Sequence, residues 1–217
     1  MIKGIIYDLD DLLVNSDYLH IQAFEAVLKE YGCSFDKLPS GMKESFVGRR
    51  ISDIAKEVIS YFNLNVDFDY FYKRRMVIFL KIAEKNLEMM PGAMHSLSLF
   101  RNRFKLAIAS SGAMEYINLV ISKFKLGRCF DVIVSGDDVT KGKPDPETYI
   151  VAARKLGLKP SECAVLEDAH AGIESAKKAG CKCIAIRNPN TPPQDMSKAD
   201  IILDSLEKIS VEMINKL

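Results

Sequence analysis

Ile2-Lys3-Gly4-Ile5-Ile6-Tyr7-Asp8-Leu9-Asp10-Asp11 is the stretch that decides the fold. Its apolar run up to Tyr7 reads as a buried strand, and Asp8 and Asp10 follow two residues apart at the end of it. In open α/β sheets the carboxyl ends of strands are where ligands bind. Taken alone, an Asp there is as well explained as the cap of a following helix. Three more strand-like runs end the same way. Residues 106–109 lead into Ser110-Ser111-Gly112, 132–134 into Ser135-Gly136-Asp137 and then Lys143-Pro144, and 164–166 into Glu167-Asp168. Helical patterns over 114–124, 146–156 and 171–179 lie between them, and this alternation predicts a parallel sheet with helices on both faces. All four polar clusters then fall on one rim, which makes a site a better reading than four separate caps.

The residue types on that rim suit phosphoryl transfer, which needs an in-line nucleophile and neutralisation of charged oxygens. An Asp carboxylate can be the nucleophile. Carboxylates facing one another repel unless a cation sits among them, and an all-oxygen donor set suits Mg²⁺. Asp8, Asp168 and Glu167 offer that charge, Lys143 a compact cation for phosphate, and Ser110 with neighbouring amides hydrogen bonds to its oxygens.

Asp8-x-Asp10, Ser110, Lys143-Pro144-Asp145-Pro146 and Val165-Leu166-Glu167-Asp168-Ala169-His170-Ala171-Gly172-Ile173 resemble, in order and spacing, the four motifs of the haloacid dehalogenase-like superfamily. The likeness runs from Ile2 to about Asp204 and is strongest to the branch holding β-phosphoglucomutase and small sugar-phosphate phosphatases. It implies a Rossmann-like core with an inserted cap. By resemblance, Asp8 is the nucleophile, Asp10 the general acid and base, and Ser110, with Ser111 beside it, and Lys143 are the phosphate holders. Mg²⁺ would be bound by Asp8, Asp168 and the backbone carbonyl of Asp10, with Glu167 a direct or indirect ligand. The second acid at Asp10 favours phosphoryl chemistry over carbon–halogen cleavage, whose enzymes lack it. One departure stands out: relatives usually carry Gly where this chain has Asp11, a residue that tolerates unusual φ but adds a third carboxylate.

From about residue 15 to 85 the spacing is helical throughout, with breaks at Gly32, Pro39-Ser40-Gly41 and Asn63-Leu64-Asn65. The expected organisation is a catalytic core of residues 1–14 and 86–217 and a helical-bundle cap of residues 15–85, hinged at the two crossings. A closing cap excludes water and selects substrate. His20 could reach the substrate or lie on the surface. Arg49 or Arg50, in Gly48-Arg49-Arg50, could pair with a second anionic group or with solvent. Lys73-Arg74-Arg75 reads as the outer face of a helix, of which only Lys73 is kept as a substrate candidate. His95 and His170 receive no role, and the helix over 171–179 has small residues that let it pack close to the sheet.

The chain has 217 residues, 48% of them hydrophobic, with a net charge of +1. That balance gives no electrostatic footprint for nucleic acid, and no apolar run is long enough to span a membrane. No signal peptide is visible. Five cysteines without a C-x-x-C pair fit buried thiols in a reducing cytosol, with Cys181 and Cys183 on a strand and facing opposite sides. Residues 201–203 read as a last strand and 206–217 as a closing helix.

The expected function is a cytoplasmic, monomeric Mg²⁺-dependent phosphatase acting on a small phosphorylated metabolite such as a sugar phosphate. β-Phosphoglucomutase activity is the alternative, weakened because Gly112 and Met114 stand where that enzyme has polar side chains for a second phosphate. A non-catalytic phosphate-binding module is weaker, since no nucleophile or metal ligand is missing.

Overall fold

A computed structural model describes residues 1–217. In chain order it contains β1 (Gly4–Tyr7), β2 (Val14–Asn15), α1 (Asp17–Lys29), α2 (Ser40–Glu44), α3 (Ile51–Tyr61), α4 (Phe68–Asn86) and β3 (Glu88–Met89). There follow α5 (Ala93–Phe100), β4 (Lys105–Ala109), α6 (Met114–Lys123), β5 (Val132–Val134), α7 (Glu147–Lys155) and β6 (Cys163–Glu167). The last elements are α8 (His170–Ala179), β7 (Lys182–Ile186), β8 (Ile201–Leu203) and α9 (Val211–Asn215).

Six strands form one parallel sheet in the order β5-β4-β1-β6-β7-β8. The chain leaves β1 at the centre and builds outward in both directions, so the order reverses beside β1, where α/β sheets bind ligands. Strand alternation feeds two cores. Ile5 and Tyr7 of β1 join Phe100, Tyr116 and Ile117 on one face, while Ile6 joins Tyr149, Ala152 and Ile173 on the other. This is the α/β, Rossmann-like parallel sheet with flanking helices.

The segment between β2 and β3 carries α1 to α4 with a separate cluster around Phe24, Phe35, Ile54 and Phe71. α1 and α4 also present Leu19, Ala23, Met76 and Phe79 to the sheet-side core, so they bridge two apolar clusters. Where the chain enters and leaves the helices, Val14 pairs with Met89 and Asn15 with Glu88 in an antiparallel ribbon.

Three readings need correction. α5 has no counterpart in the sequence reading, although Ala93, Leu97 and Phe100 are its buried stripe. The closing helix over 206–217 is instead a short 3₁₀ turn, Leu206–Lys208, and then α9, because the Ser210 hydroxyl accepts from the Met213 amide and starts a new helix. Cys181 precedes β7, and both it and Cys183 pack in the same apolar cluster. No helix is long and apolar enough to cross a membrane.

Candidate active site

The rim beside β1 gathers Asp8, Asp10, Ser110, Lys143, Glu167 and Asp168, each just past or at the end of a strand or on the loop after one. Lys143 is buried between two carboxylates: its Nζ donates to Asp8 Oδ1 at 2.5 Å and to Glu167 Oε1 at 2.7 Å, and also to the Ala109 carbonyl. Burial opposes the ammonium charge, but Asp8 and Glu167 outweigh it and hold Lys143 above its ordinary pKa. The Tyr149 hydroxyl donates to Glu167 Oε1 at 2.6 Å, and the amides of Asp168 and Ala169 donate to Oε2. Glu167 is thus fixed from both oxygens.

Gly172 is what makes room for it. A Cβ there would sit on the Glu167 carboxylate, so the small residue that the sequence reading took for helix packing lets α8 pass over a buried charge.

Asp8, Glu167 and Asp168 have carboxylate oxygens within 4.8 Å of one another. Against three carboxylates Lys143 sets one positive charge, leaving two negative charges uncompensated. Burial, with mutual repulsion, pushes the carboxyls of Asp8 and Asp168 well above their ordinary range. Asp168 Oδ2 is buried without a hydrogen-bond partner, which is costly for a charged oxygen. An all-oxygen donor set, a double negative excess and an orphaned carboxylate oxygen fit a hard divalent cation such as Mg²⁺.

Asp10 is set differently. Its Oδ1 accepts from Ser16 Oγ at 2.6 Å and Tyr116 OH at 2.9 Å, with His20 Nε2 at 3.5 Å, and its Oδ2 accepts from Ser110 Oγ at 3.3 Å. Burial raises its pKa, but the His20, Ser16 and Tyr116 hydrogen bonds win and hold it below the ordinary value. Burial and the Arg75 charge hold His20 below its ordinary pKa, and its Nε2 faces Asp10. Arg75 Nη2 reaches His20 Nδ1 at 2.5 Å, which makes Nδ1 the acceptor. Burial lowers the Arg75 pKa to about 9, and its guanidinium lies 4.7 and 4.8 Å from the Phe24 and Phe79 ring centres.

Arg75 corrects the sequence reading, which put it on an outer helix face; it is fully buried. Tyr116 and Tyr149, whose hydroxyls bond Asp10 and Glu167, are two more side chains of the site that the sequence does not disclose. Both occur at apolar helix positions, where sequence alone cannot tell a core ring from a hydrogen-bond donor.

The Asp11 backbone takes φ 57°, and its carboxylate accepts from the Ser16 and Asp17 amides at the start of α1. Burial, with Asp17 and Asp10 nearby, pushes its carboxyl up to about 8 against those two amides.

The cleft above the carboxylates encloses about 600 Å³, part of it open to solvent, and is lined by Asp8, Asp10, His20, Arg49, Ser111 and Gly112 among others. Ser111 Oγ donates to the Gly48 carbonyl, tying the rim to the loop before α3. Arg49 faces the cleft but is ion-paired with Glu57. Arg50 and Lys73 are not brought there. They line a second cleft, and Arg50 bonds Asp53 and the carbonyls of Val139 and Thr140.

Residues 5–186 match the family described as haloacid dehalogenase-like hydrolase. The chain belongs to that family. Among its curated relatives, a validoxylamine A 7'-phosphate phosphatase from Streptomyces hygroscopicus subsp. limoneus is 29% identical over 96% of both chains. Hexitol phosphatase A of Escherichia coli is 28% identical over 96% of this chain and 94% of its own. The structure of CbbY from Rhodobacter sphaeroides in complex with phosphate superposes with a TM-score of 0.87 at 23% identity, covering 99% of this chain and 100% of that one; at that identity the likeness is one of fold. Several of its curated relatives are named phosphatases, and this haloacid dehalogenase-like chain is an enzyme of that kind.

Proposed function

We propose that the chain is a Mg²⁺-dependent phosphatase that hydrolyses the phosphate monoester of a small, sugar-like metabolite through a phosphorylated Asp8. The observation that carries this reading is the placement of Asp8 and Asp10 in one cleft, Asp8 among carboxylates and Lys143, Asp10 among hydroxyl and imidazole donors. Two carboxylates so differently surrounded suit two roles.

In the first step an Asp8 oxygen attacks phosphorus as the ester P–O bond breaks, and Asp10 gives its proton to the departing alkoxide. In the second, Asp10 takes a proton from water as its oxygen attacks the same phosphorus, releasing phosphate and restoring Asp8. The four donors around Asp10 favour its ionised, base form; the negative charge of an arriving phosphate favours the protonated form the first step needs. Ser110, Ser111 and Lys143 orient the phosphate. Asp8, Asp168 and the Asp10 carbonyl would hold Mg²⁺, with Glu167 supporting them, and the ion when bound supplies positive charge to the phosphate oxygens. Residues 15–85 act as a cap over a core of 1–14 and 86–217, with the β2–β3 ribbon as hinge, and His20 carries the Arg75 contact across to Asp10.

The cleft also speaks against a second phosphate. It holds four carboxylates, Asp8, Asp10, Asp11 and Asp17, and its one guanidinium is already paired. A mutase must bind a bisphosphate, so water is the favoured acceptor. The test is phosphate release from a panel of sugar and polyol monophosphates with Mg²⁺, with EDTA, and by Asp8→Asn. Turnover is expected only by the wild type with Mg²⁺. Isomerisation of β-glucose 1-phosphate, primed with the 1,6-bisphosphate, faster than phosphate release would overturn the phosphatase in favour of the mutase.

A further inference from the structure

Besides its carboxylates, the active-site cleft is lined by a set of apolar side chains. Ile21 stands 38% exposed among them, where a surface isoleucine has no packing reason to be. Phe24, Phe35, Phe46, Val47 and Ile51 line the same cleft. Gly48 lets this loop lie against the core, since a Cβ there would meet Ala169. A pocket meant for a fully hydroxylated sugar needs a polar partner for each hydroxyl it desolvates. Here the capacity of the neutral and basic polar groups is mostly spent: Arg49 is paired with Glu57, Ser111 with the Gly48 carbonyl, and His20 lies between Arg75 and Asp10. What stays open is the Asp17 carboxylate at the start of α1, which bonds neither hydroxyl nor cation and lines the same cleft.

From this we infer that the leaving alcohol of the natural substrate presents an apolar face, as a deoxy or carbocyclic ring does, and carries no anionic group besides the phosphate that reacts. The apolar face lies on Ile21, Phe46, Val47 and Ile51, and Asp17 repels a second anion while accepting from a hydroxyl or ammonium. The inference rests on the phosphatase reading and narrows it to a substrate class.

Glucose 6-phosphate and cyclohexylmethyl phosphate test it, because both release a primary alkoxide from a six-membered ring, with and without hydroxyls. A site built to hydrogen-bond sugar hydroxyls rejects the analogue that lacks them by about 10⁴-fold, whereas an apolar wall prefers it. The expected result with Mg²⁺ is a kcat/KM for cyclohexylmethyl phosphate about tenfold above that for glucose 6-phosphate, with 6-phosphogluconate at least about tenfold below the sugar phosphate. Val47→Thr, close in shape, should shrink the first ratio several-fold. A preference for glucose 6-phosphate, or equal use of the carboxylated substrate, overturns the inference and leaves the phosphatase standing. Failure to hydrolyse any phosphate monoester, or the more reactive acyl phosphate acetyl phosphate, overturns the phosphatase reading and this one with it.

Discussion

At the sheet rim Lys143 stands between Asp8 and Glu167, two carboxylates that answer its charge; across the cleft Arg75 is equally buried, yet it has no carboxylate within ion-pair distance and lies between two phenylalanine rings. The rim is built to hold charge at a defined density and so to receive more of the opposite sign. The helical insertion packs around an apolar cluster, and its one buried cation reaches Asp10 only through His20. Nε and Nη1 of Arg75 have no hydrogen-bond partner, an expense that packing alone does not require. On the proposed mechanism, the difference separates the buried charges that would bind phosphate and metal from the one that would align the proton carrier.

The largest expected effect on that comparison comes from the rim. Gly172→Ala puts a methyl where the Glu167 carboxylate lies, so Glu167 must turn away from Lys143 and Tyr149. Ala favours the helix, so the fold should persist. Disturbing a group that supports a metal ligand typically lowers affinity about 10- to 100-fold, and the Mg²⁺ needed for half-maximal activity should rise accordingly. An unchanged Mg²⁺ requirement would mean that Glu167 is not part of the metal support.

Arg75→Met probes the insertion with a smaller expected effect. Kcat should fall about tenfold, less than the roughly 10²- to 10⁴-fold cost of losing the acid–base group itself, because Asp10 stays in place and only its positioning changes. The melting temperature should stay level or rise, because an incompletely bonded buried cation is replaced by an apolar chain of similar length. Arg75 now depresses the His20 pKa, so its removal should let His20 titrate at higher pH, followed by NMR of the ring protons. A strong fall in stability with unchanged kcat would make Arg75 a packing residue.

The smallest effect is expected from Arg50→Ala. Arg50 bonds the Val139 and Thr140 carbonyls and so ties α3 to the loop after β5, at partly exposed positions where such contacts contribute about 1 kcal/mol or less. KM should rise a few-fold with kcat little changed. A loss of activity comparable to that from Gly172→Ala would give Arg50 a direct role with substrate.

The two regions also differ in how far the sequence discloses them. The rim is legible because polar residues at the ends of apolar strands violate the pattern around them, so Asp8, Asp10, Ser110, Lys143, Glu167 and Asp168 each announce themselves. The sheet is legible for the same reason, since 132–134 and 201–203 are bounded by turn residues. In the insertion, helical periodicity marks a face but not what covers it. Arg75 follows Lys73 and Arg74 in a basic run and reads as solvated, yet only Arg75 turns inward, on the same face as Phe71 and Phe79. Tyr116 and Tyr149 sit at core positions and hide their hydroxyl roles, and Gly172 is ambiguous until the Glu167 carboxylate is seen beneath it. Arg50 and Lys73 illustrate the converse: cations near the cleft in sequence, but carried to another groove by the turn into α3 and by the course of α4.

The most direct test of the account is capture of the phosphorylated carboxylate. Wild-type protein quenched in acid during turnover with Mg²⁺, reduced with borohydride and digested should show Asp8 converted to homoserine by mass spectrometry, with no such product from Asp8→Asn. Phosphate release under single-turnover conditions with Asp8 unmodified, or with the reduced residue elsewhere on the rim, would contradict it.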